Sequence, residues 1–294
     1  MTCCLSGRIN AGYLAIAGPA NSGKSSLFNS LIGRTISPVT PGRGTTRLPL
    51  SGICHDPGSG GQVCIIDTPP LASAMGLEIM GWMDAACLVI DATRLDEDLA
   101  APVTEGFLDL FSGRPVLLCL THVDHFPPGF RQALVNQACL ARAFAGAHAI
   151  CPPRGTGVPG LLRDILRSLP PRRMLFPEGC TTLHSERFLV SEVIRTELFR
   201  VLSEEIATAT AVQIEEFSMR DSKTYVRANL IVSRHSYKGM VIGRRGQTLQ
   251  KITDCAAKGA EALLERTVQP DLWVKVRESW PDNPHDLLEF GYVV

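Results

Sequence analysis

The sequence predicts an α/β domain with a mostly parallel six-stranded sheet covered by helices on both faces, followed by a smaller α+β domain. Three observations lead to this fold class. Short apolar runs alternate with helical patterns over roughly the first 170 residues, and such alternation is typical of parallel sheets with crossover helices. Pro170 and Pro171 end the alternation. A helix-strand-strand-helix-strand pattern then follows, so a second domain is expected.

The domain boundaries follow from these patterns. We predict a first domain at 1–170, a linker at 171–184 and a second domain at 185–294. The turn at 56–61 makes the second and third strands an antiparallel hairpin. The first domain has predicted strands Leu14–Ala17, Leu48–Cys54, Val63–Asp67, Cys87–Asp91, Val116–Leu120 and His148–Cys151, and predicted helices near Ser26–Ile32, Asp98–Phe111, Gly129–Phe144 and Val158–Ser168. The second has helix Glu186–Ile206, strands Ala211–Ser218 and Thr224–Ser233, a glycine loop, helix Gln247–Leu264 and strand Asp271–Arg277.

Composition narrows the class of protein. Lys+Arg and Asp+Glu both number 29 in the 294 residues, so a nucleic-acid site must be a local basic patch. The 10 cysteines include no C-x-x-C pair, which is typical of a reducing compartment. No apolar run reaches the ~18 residues of a spanning helix. No signal peptide is recognised, so a cytoplasmic location is expected, with any membrane contact peripheral at the inner face of the cell membrane.

The segment Gly18–Ser25 fits the phosphate-loop pattern G-x-x-x-x-G-K-S between a predicted strand and a predicted helix. Such a loop wraps its backbone N–H groups around phosphate oxygens at a helix N-terminus. Lys24 is expected to reach the β- and γ-phosphates, and Ser25 to bind Mg²⁺. A glycine-rich turn with an incidental lysine is the alternative. The residues expected at the nucleotide from this segment are Gly18, Asn21, Ser22, Gly23, Lys24, Ser25 and Ser26.

Three downstream positions complete a nucleotide site. Asp67 ends a buried strand and is expected to hold Mg²⁺ through water, with a turn-capping aspartate as the alternative. The loop 38–47 carries Thr45 and Thr46, either of which can bind Mg²⁺ and sense the γ-phosphate, with Thr46 preferred. An ordinary surface loop is the alternative. Asp124 can accept two N–H donors from a guanine edge, unless it is simply a solvated carboxylate.

These motifs, in this order, resemble those of the translation-factor-like GTPases: GPANSGKS, GTTR, DTP and an aspartate after the fifth strand. The segments Arg187–Arg200, Lys238–Gly246 and Leu272–Arg277 look like the Era family. The resemblance implies a P-loop GTPase domain and an α+β type II KH domain. It implies GTP/GDP and Mg²⁺ as cofactors. It also implies binding to small-subunit (16S) ribosomal RNA and to the pre-30S particle, and assistance in assembly of the 30S subunit; a monomer is expected.

The sequence departs from the family in three places. Pro70 replaces a glycine whose N–H contacts the γ-phosphate, and proline has no N–H, so that contact cannot form there. Thr121 and His122 replace Asn and Lys of N-K-x-D, which predicts weaker guanine binding. Cys151-Pro152 replaces the Ser-Ala pair behind the base, and the proline again removes a backbone donor.

The second-domain motif is Val241-Ile242 followed by Gly243-Arg244-Arg245-Gly246, which fits the KH signature. Arg244 and Arg245 can pair with phosphates, and Lys238 and Lys251, with Arg234, extend a basic patch free of acids. The predicted apolar floor is Ile242, Leu249 and Ile252. A helix-turn-helix glycine corner with solvated arginines is the alternative.

Three functions stay open at this point. The leading interpretation is a GTP-hydrolysing assembly factor for the small ribosomal subunit. Because Leu71 stands where a catalytic glutamine could be, water positioning must come from elsewhere, and Asn21 suggests K⁺ as one source. The second is an RNA-binding scaffold that binds GTP but barely hydrolyses it, motivated by Pro70, Thr121 and His122. The third is an ATP-using enzyme.

Overall fold

The structure, a computed structural model, describes residues 8–37, 49–68, 80–141 and 143–290. The chain divides into two compact units, with the division between Leu183 and His184. Across the described ranges, no helix is long and apolar enough to cross a membrane.

The first unit is built on a sheet with strand order β2-β3-β1-β4-β5-β6. Strand β2 is antiparallel to β3, and the other pairs along this path are parallel. The predicted mostly parallel six-stranded sheet is confirmed, and a two-residue strand β7 adds an antiparallel partner to β1. The strands are β1 (Ile9–Ala17), β2 (Leu50–His55), β3 (Gln62–Asp67), β4 (Ala85–Asp91), β5 (Val116–Thr121), β6 (Gly146–Ala149) and β7 (Pro171–Arg172).

The helices of this unit mostly follow the predicted pattern, with one difference. A single helix was expected over Asp98–Phe111, whereas the structure has two short helices there. Pro102 begins the second of them, at a position where its missing N–H costs nothing. The described helices are α1 (Lys24–Ile32), α2 (Leu95–Leu99), α3 (Pro102–Leu110), α4 (Pro128–Ala141) and α5 (Val158–Ser168).

The segment predicted as a linker lies against the first unit over most of its length. The side-chain carbonyl of Gln62 accepts hydrogen bonds from the N–H groups of Leu175 and Phe176, both at 2.9 Å, and its amide donates to the carbonyl of Phe176 at 2.8 Å. Further along, the N–H of Ile53 donates to the carbonyl of Thr181 at 2.8 Å. The domain boundaries themselves stay a prediction.

The second unit has a three-stranded sheet of order β10-β9-β8, in which β9 is antiparallel to β8 and parallel to β10. Apolar side chains of α6, α8 and α9 pack on one face of this sheet. The elements are α6 (Glu186–Val201), α7 (Glu204–Thr208), β8 (Thr210–Arg220), β9 (Lys223–Val232), α8 (His235–Ile242), α9 (Gln247–Leu264), β10 (Val268–Val276) and α10 (Pro284–Glu289).

Two elements of this unit differ from the prediction. Helix α6 ends at Val201 rather than at residue 206, because Leu202 adopts an extended backbone. Helix α8 lies in a stretch for which no helix was predicted. Its buried residues Tyr237 and Val241 are four positions apart and therefore share one helical face, but Gly239 between them weakens the sequence signal.

Candidate nucleotide site and candidate RNA-binding site

The phosphate loop connects β1 to α1, in the order that the sequence predicts. A Cβ atom on Gly18 would lie 2.2 Å from the carbonyl oxygen of Val89, so only glycine fits there. Helix α1 begins at Gly23, whose φ of 89° is left-handed and which offers no side-chain cap. The first N–H groups of α1 are therefore left without a cap from this residue, which suits an anion such as phosphate.

Lys24 is buried inside this loop. Its ammonium donates hydrogen bonds to the carbonyl oxygens of Gly18 at 3.0 Å and Pro19 at 2.6 Å. Burial lowers the pKa of Lys24 below its usual value, and the negative charge of Asp67 opposes that shift. Because neutral carbonyls compensate a buried charge only in part, a phosphate group next to Lys24 is electrostatically favoured.

Asp67 is fully buried at the end of β3. Its Oδ2 accepts hydrogen bonds from the hydroxyls of Ser25 at 2.8 Å and Ser37 at 2.6 Å. Its Oδ1 is buried and has no hydrogen-bond partner among the described residues. Burial raises the pKa of Asp67, and the bonds from the two serines and the charge of Lys24 oppose it. A buried carboxylate oxygen beside a serine hydroxyl suits a hard divalent cation, so the residues fit Mg²⁺.

Asn29 and Ser37 are site residues that the sequence reasoning missed. The side-chain carbonyl of Asn29 accepts the N–H groups of Ile36 and Ser37, both at 2.8 Å, and its amide donates to the carbonyl of Ser37 at 2.8 Å. Helix α1 thereby fixes the chain just before residues 38–48. Asparagine is a weak helix former, and its place inside a nine-residue helix is the signal that could have revealed it.

The end of β5 lies beside the phosphate loop through Thr121. Its buried hydroxyl is 2.7 Å from the carbonyl oxygen of Ser22 and 3.1 Å from that of Ile90, and it can donate to one of them at a time. The family motif N-K-x-D has asparagine at this position, and here the shorter threonine links the end of β5 to the phosphate loop.

His122 and Asp124, which follow Thr121, were predicted to contact the guanine base. His122 has a left-handed backbone, with φ of 54°, and its Nδ1 lies 3.3 Å from Oδ2 of Asp91. Asp124 is exposed in the 3-10 turn that follows β5. A solvent-exposed carboxylate at this edge is free to accept N–H donors from a base.

The loop that begins at Cys151-Pro152, which was predicted to lie behind the base, is held by hydrogen bonds between its own backbone groups. The N–H of Cys151 donates to the carbonyl of Thr156 at 3.0 Å, and the N–H of Thr156 donates back at 3.2 Å. The carbonyl of Pro152 accepts from the hydroxyl of Ser30 in α1 at 3.3 Å. The backbone donor of Cys151 is therefore already used within the loop.

The remaining predicted nucleotide residues are only partly placed. Asn21 is exposed in the loop and has a left-handed backbone, with φ of 63°, while Ser26 is half-buried. Four residues that the sequence analysis singled out lie outside the described ranges: Thr45, Thr46, Pro70 and Leu71.

The second glycine loop joins α8 to α9. Gly243 has φ of 73°, and a Cβ atom there would lie 2.0 Å from Oγ1 and 2.9 Å from the backbone nitrogen of Thr248. Gly246 has φ of 77° and begins α9 without a side-chain cap. Between them, Arg244 and Arg245 are exposed, as are Lys238 and Lys251 on the flanking helices.

A groove of about 580 Å³ runs from this loop along the edge strand β10. Leu249 of α9 and Leu272 of β10 supply apolar lining. Ile252, expected in the groove floor, is fully buried in the core instead, because it lies on the face of α9 that packs on the sheet. Ile242 is half-buried at the end of α8. The loop and groove together can accept an extended polyanion with unstacked bases.

Comparisons with known proteins find relatives of both units. A family model described as a 50S ribosome-binding GTPase matches residues 13–122, and a KH domain model matches residues 205–281. The chain is 34% identical to GTPase Era of Stenotrophomonas maltophilia (strain K279a), over 96% of this chain and 97% of that protein. It is 35% identical to GTPase Era of Xanthomonas axonopodis pv. citri (strain 306), with the same coverage.

Two solved structures superpose over nearly the whole chain. A point variant of Aquifex aeolicus Era bound to GDP.AlF4- has a TM-score of 0.87 and 28% identity, covering 97% of this chain and 99% of that one. Era in complex with MgGDPNP and nucleotides 1506-1542 of 16S ribosomal RNA has a TM-score of 0.88 and 29% identity, covering 97% and 100%. The fold and sites thus define a P-loop GTPase joined to a KH domain. Within that class, this chain belongs to the Era family of GTPases.

Proposed function

We propose that this protein binds GTP with Mg²⁺, hydrolyses it to GDP, and binds 16S ribosomal RNA through its KH domain to assist assembly of the 30S ribosomal subunit on the pre-30S particle. The observation that carries the proposal is the group of buried Lys24, buried Asp67 and half-buried Ser25 at the start of α1, which has no side-chain cap. The two Era structures support it, one holding GDP.AlF4- and the other holding MgGDPNP with 16S ribosomal RNA nucleotides.

In this proposal, Lys24 binds the β- and γ-phosphates and stabilises the charge that develops as the γ-phosphoryl group is transferred to water. Ser25 and Asp67, with Thr45 or Thr46 from outside the described ranges, would hold Mg²⁺. When bound, Mg²⁺ neutralises phosphate charge. Thr121 keeps the phosphate loop in register with the end of β5.

Guanine selection is assigned to Asp124, whose carboxylate would accept two N–H donors, with His122 stacking beside the base. We also propose that Asn21 binds a K⁺ ion during hydrolysis, supported by the exposed position of Asn21 in the loop. Equal hydrolysis rates in K⁺ and Na⁺ would contradict this role of Asn21. The protein is proposed to act as a cytoplasmic monomer, with any membrane contact peripheral.

RNA binding is assigned to the loop Gly243–Gly246, which would clamp about four nucleotides. Arg244, Arg245, Lys238 and Lys251 are exposed around it and would contact phosphates, and Ile242 would lie beside the bases. Since phosphate contacts release counterions, affinity is expected to fall as salt rises.

The test is a GTPase assay on the purified full chain, with and without a 16S ribosomal RNA fragment, with Lys24→Ala as the blank. Turnover above the blank supports the proposal. GTP and RNA binding without turnover in either condition would favour the alternative of an RNA-binding scaffold that barely hydrolyses GTP. Base selectivity is measured by displacing bound labelled GTP with unlabelled ATP or unlabelled GTP. Equal displacement by the two nucleotides would contradict the role of Asp124.

A further inference from the structure

A second groove lies in the first unit at the edge of the sheet where the parallel strands begin. Its volume is about 690 Å³, and it is bordered by the start of β1, the turn between β2 and β3, and α5. Strand β1 has nine residues, so about 30 Å of strand separates this groove from the phosphate loop at its other end. The groove is therefore distinct from the nucleotide site.

Arginine side chains dominate the polar lining of this groove. Arg8 precedes β1, while Arg163 and Arg167 are one turn apart on α5 and therefore share a helical face. Arg8 and Arg163 are exposed, and neither has an acidic partner among the described residues. Arg167 contacts Asp164 at 3.3 Å, but with 70% of the arginine side chain exposed this pair is weak.

Asp56 brings a carboxylate to the lining, but that carboxylate is directed to its own turn. Its Oδ2 accepts hydrogen bonds from the hydroxyl of Ser59 at 2.6 Å and from its N–H at 3.0 Å, and its Oδ1 accepts from the N–H of Gly58 at 3.4 Å. These bonds hold the pKa of Asp56 below its usual range. Asp56 therefore keeps its negative charge in the groove, but none of the ion pairs among the described residues joins it to an arginine of the lining.

A fourth arginine extends the positive surface. Strands β1 and β7 are antiparallel and pair Ile9 with Arg172, and the residues next to this pair, just outside the two strands, are Arg8 and Arg173. Arg173 is exposed and, within the described part of the chain, also has no acidic partner. In a chain with zero formal net charge, this concentration of guanidinium groups is a local basic patch.

We propose that this arginine groove, lined by Arg8, Arg163 and Arg167 with Arg173 outside the lining but close to Arg8 in the β1–β7 pairing, binds the phosphate backbone of RNA and gives the first unit its own RNA contact. The inference rests on the proposed function and adds to it a second site outside the KH domain. Guanidinium groups pair well with phosphates. RNA is the polyanion chosen here because a relative is bound to 16S ribosomal RNA nucleotides in a solved structure.

A lipid surface fits this groove less well. Interfacial binding needs large apolar side chains that insert into the membrane. The exposed large apolar residues of the described ranges, such as Trp82, Phe130 and Leu140, lie outside the groove lining. The lining offers three guanidinium groups and one carboxylate, with amide and hydroxyl groups, around an apolar floor of small and medium-sized side chains, so positive charge exceeds negative charge as a phosphate-binding surface requires.

The experiment measures binding of the full chain to intact 16S ribosomal RNA over a series of KCl concentrations. The test variants are Arg163→Gln and the double change Arg163→Gln with Arg167→Gln. The control is Arg94→Gln, an arginine 48% exposed that pairs with Glu97 at the opposite edge of the sheet. Each lost phosphate contact should reduce the slope of log affinity against log salt by about 0.7 to 0.9.

We expect that reduction in the test variants and no change in the control. Their GTP affinity, and their affinity for a short single strand that occupies only the Gly243–Gly246 loop, should stay at the wild-type values, which also shows that they fold. An unchanged slope for intact RNA would overturn the inference. The inference would also be overturned if the test variants lost binding to anionic phosphatidylglycerol vesicles but bound RNA like the wild type. Because the KH loop is tested separately by its glycine variants, failure here leaves the proposed function standing.

Discussion

The two glycine loops of this protein, Gly18–Ser25 and Gly243–Gly246, have the same backbone conformation at the glycine before a helix but different surroundings. Both Gly23 and Gly246 have a left-handed backbone and stand as the N-cap residue of a helix without a side-chain cap, and neither helix has an acidic residue in its first turn. In the first unit, the side chains of Lys24, Asp67 and Thr121 around the loop are buried. In the second unit, the charged side chains of the loop are exposed.

This difference suits each loop to a different proposed ligand. The phosphate loop is joined to side chains from distant elements, including Asp67 of β3 and Thr121 of β5, which we propose enclose the phosphates of one nucleotide. The Gly243–Gly246 loop depends on local backbone shape and leaves Arg244 and Arg245 in solvent, which suits a long RNA backbone. A change in the first site should therefore act through packing, and a change in the second through loop shape and charge.

The largest expected effect is at the RNA loop. Changing Gly243 and Gly246 to Asp forces two left-handed positions to carry side chains, and a Cβ on Gly243 collides with Thr248. Because returning the loop to its binding shape would cost about 1–3 kcal/mol for each residue, RNA affinity should fall about 30-fold or more, measured by fluorescence anisotropy.

The matched control for that change is Gly239→Ala in α8, because nothing lies within 4 Å of a Cβ there. It should bind RNA like the wild type, and all of these variants should keep their GTP affinity. Full RNA affinity in the double glycine variant would refute the assignment of this loop.

The next effect concerns base selection. Asp124→Asn replaces one acceptor oxygen with an NH₂ donor, so one of the two guanine N–H groups loses its partner. Because hydrogen bonds to a charged group contribute about 1.5–3 kcal/mol, the preference for GTP over ATP should fall at least about tenfold. Competition binding with both nucleotides measures it, and a preference that does not change would show that another residue reads the base.

A smaller effect is expected where β5 meets the phosphate loop. Thr121→Val keeps the shape but removes the hydroxyl that contacts the carbonyls of Ser22 and Ile90. Losing one neutral hydrogen bond costs about 1 kcal/mol, so GTP affinity should fall about fivefold by calorimetry.

Thr104→Val is the control for Thr121→Val, because Thr104 is also buried and donates to a backbone carbonyl, that of Asp98, at 2.7 Å. It should lower the melting temperature by a similar amount without changing GTP affinity. If both variants bind GTP equally well, the contact of Thr121 with Ser22 does not position the loop.

The smallest effect is expected at His122. Changing it to Lys restores the residue of the N-K-x-D motif, whose apolar stem can pack along the base. A gain of about 0.5 kcal/mol, or about twofold in guanine nucleotide affinity, is expected from that added contact. His125→Lys, an exposed neighbour, is the control and should change nothing. Equal affinity in both variants would show that His122 already provides the full contact.

Much of the fold was predictable because the local signals agree with the tertiary structure. The phosphate loop stands between an apolar strand and a helix, and Asp67 ends a buried strand, so their meeting at one sheet edge follows from the topology of parallel sheets. Helix α8 was missed because Gly239 interrupts its signal. The split near Pro102 was missed because the apolar pattern continues through it.

Local sequence is enough to assign the class of both loops, because the phosphate loop needs glycines and a lysine at set spacing and the second loop needs two glycines three positions apart. The side chains that complete the sites come together only in the folded chain. Ser37, held by Asn29, bonds to Asp67, Thr121 reaches the carbonyl of Ser22, Ile252 enters the core, and Arg8 comes to lie with Arg163. These contacts join residues far apart in the chain, and their pairing depends on strand register and helix orientation, which no local pattern records.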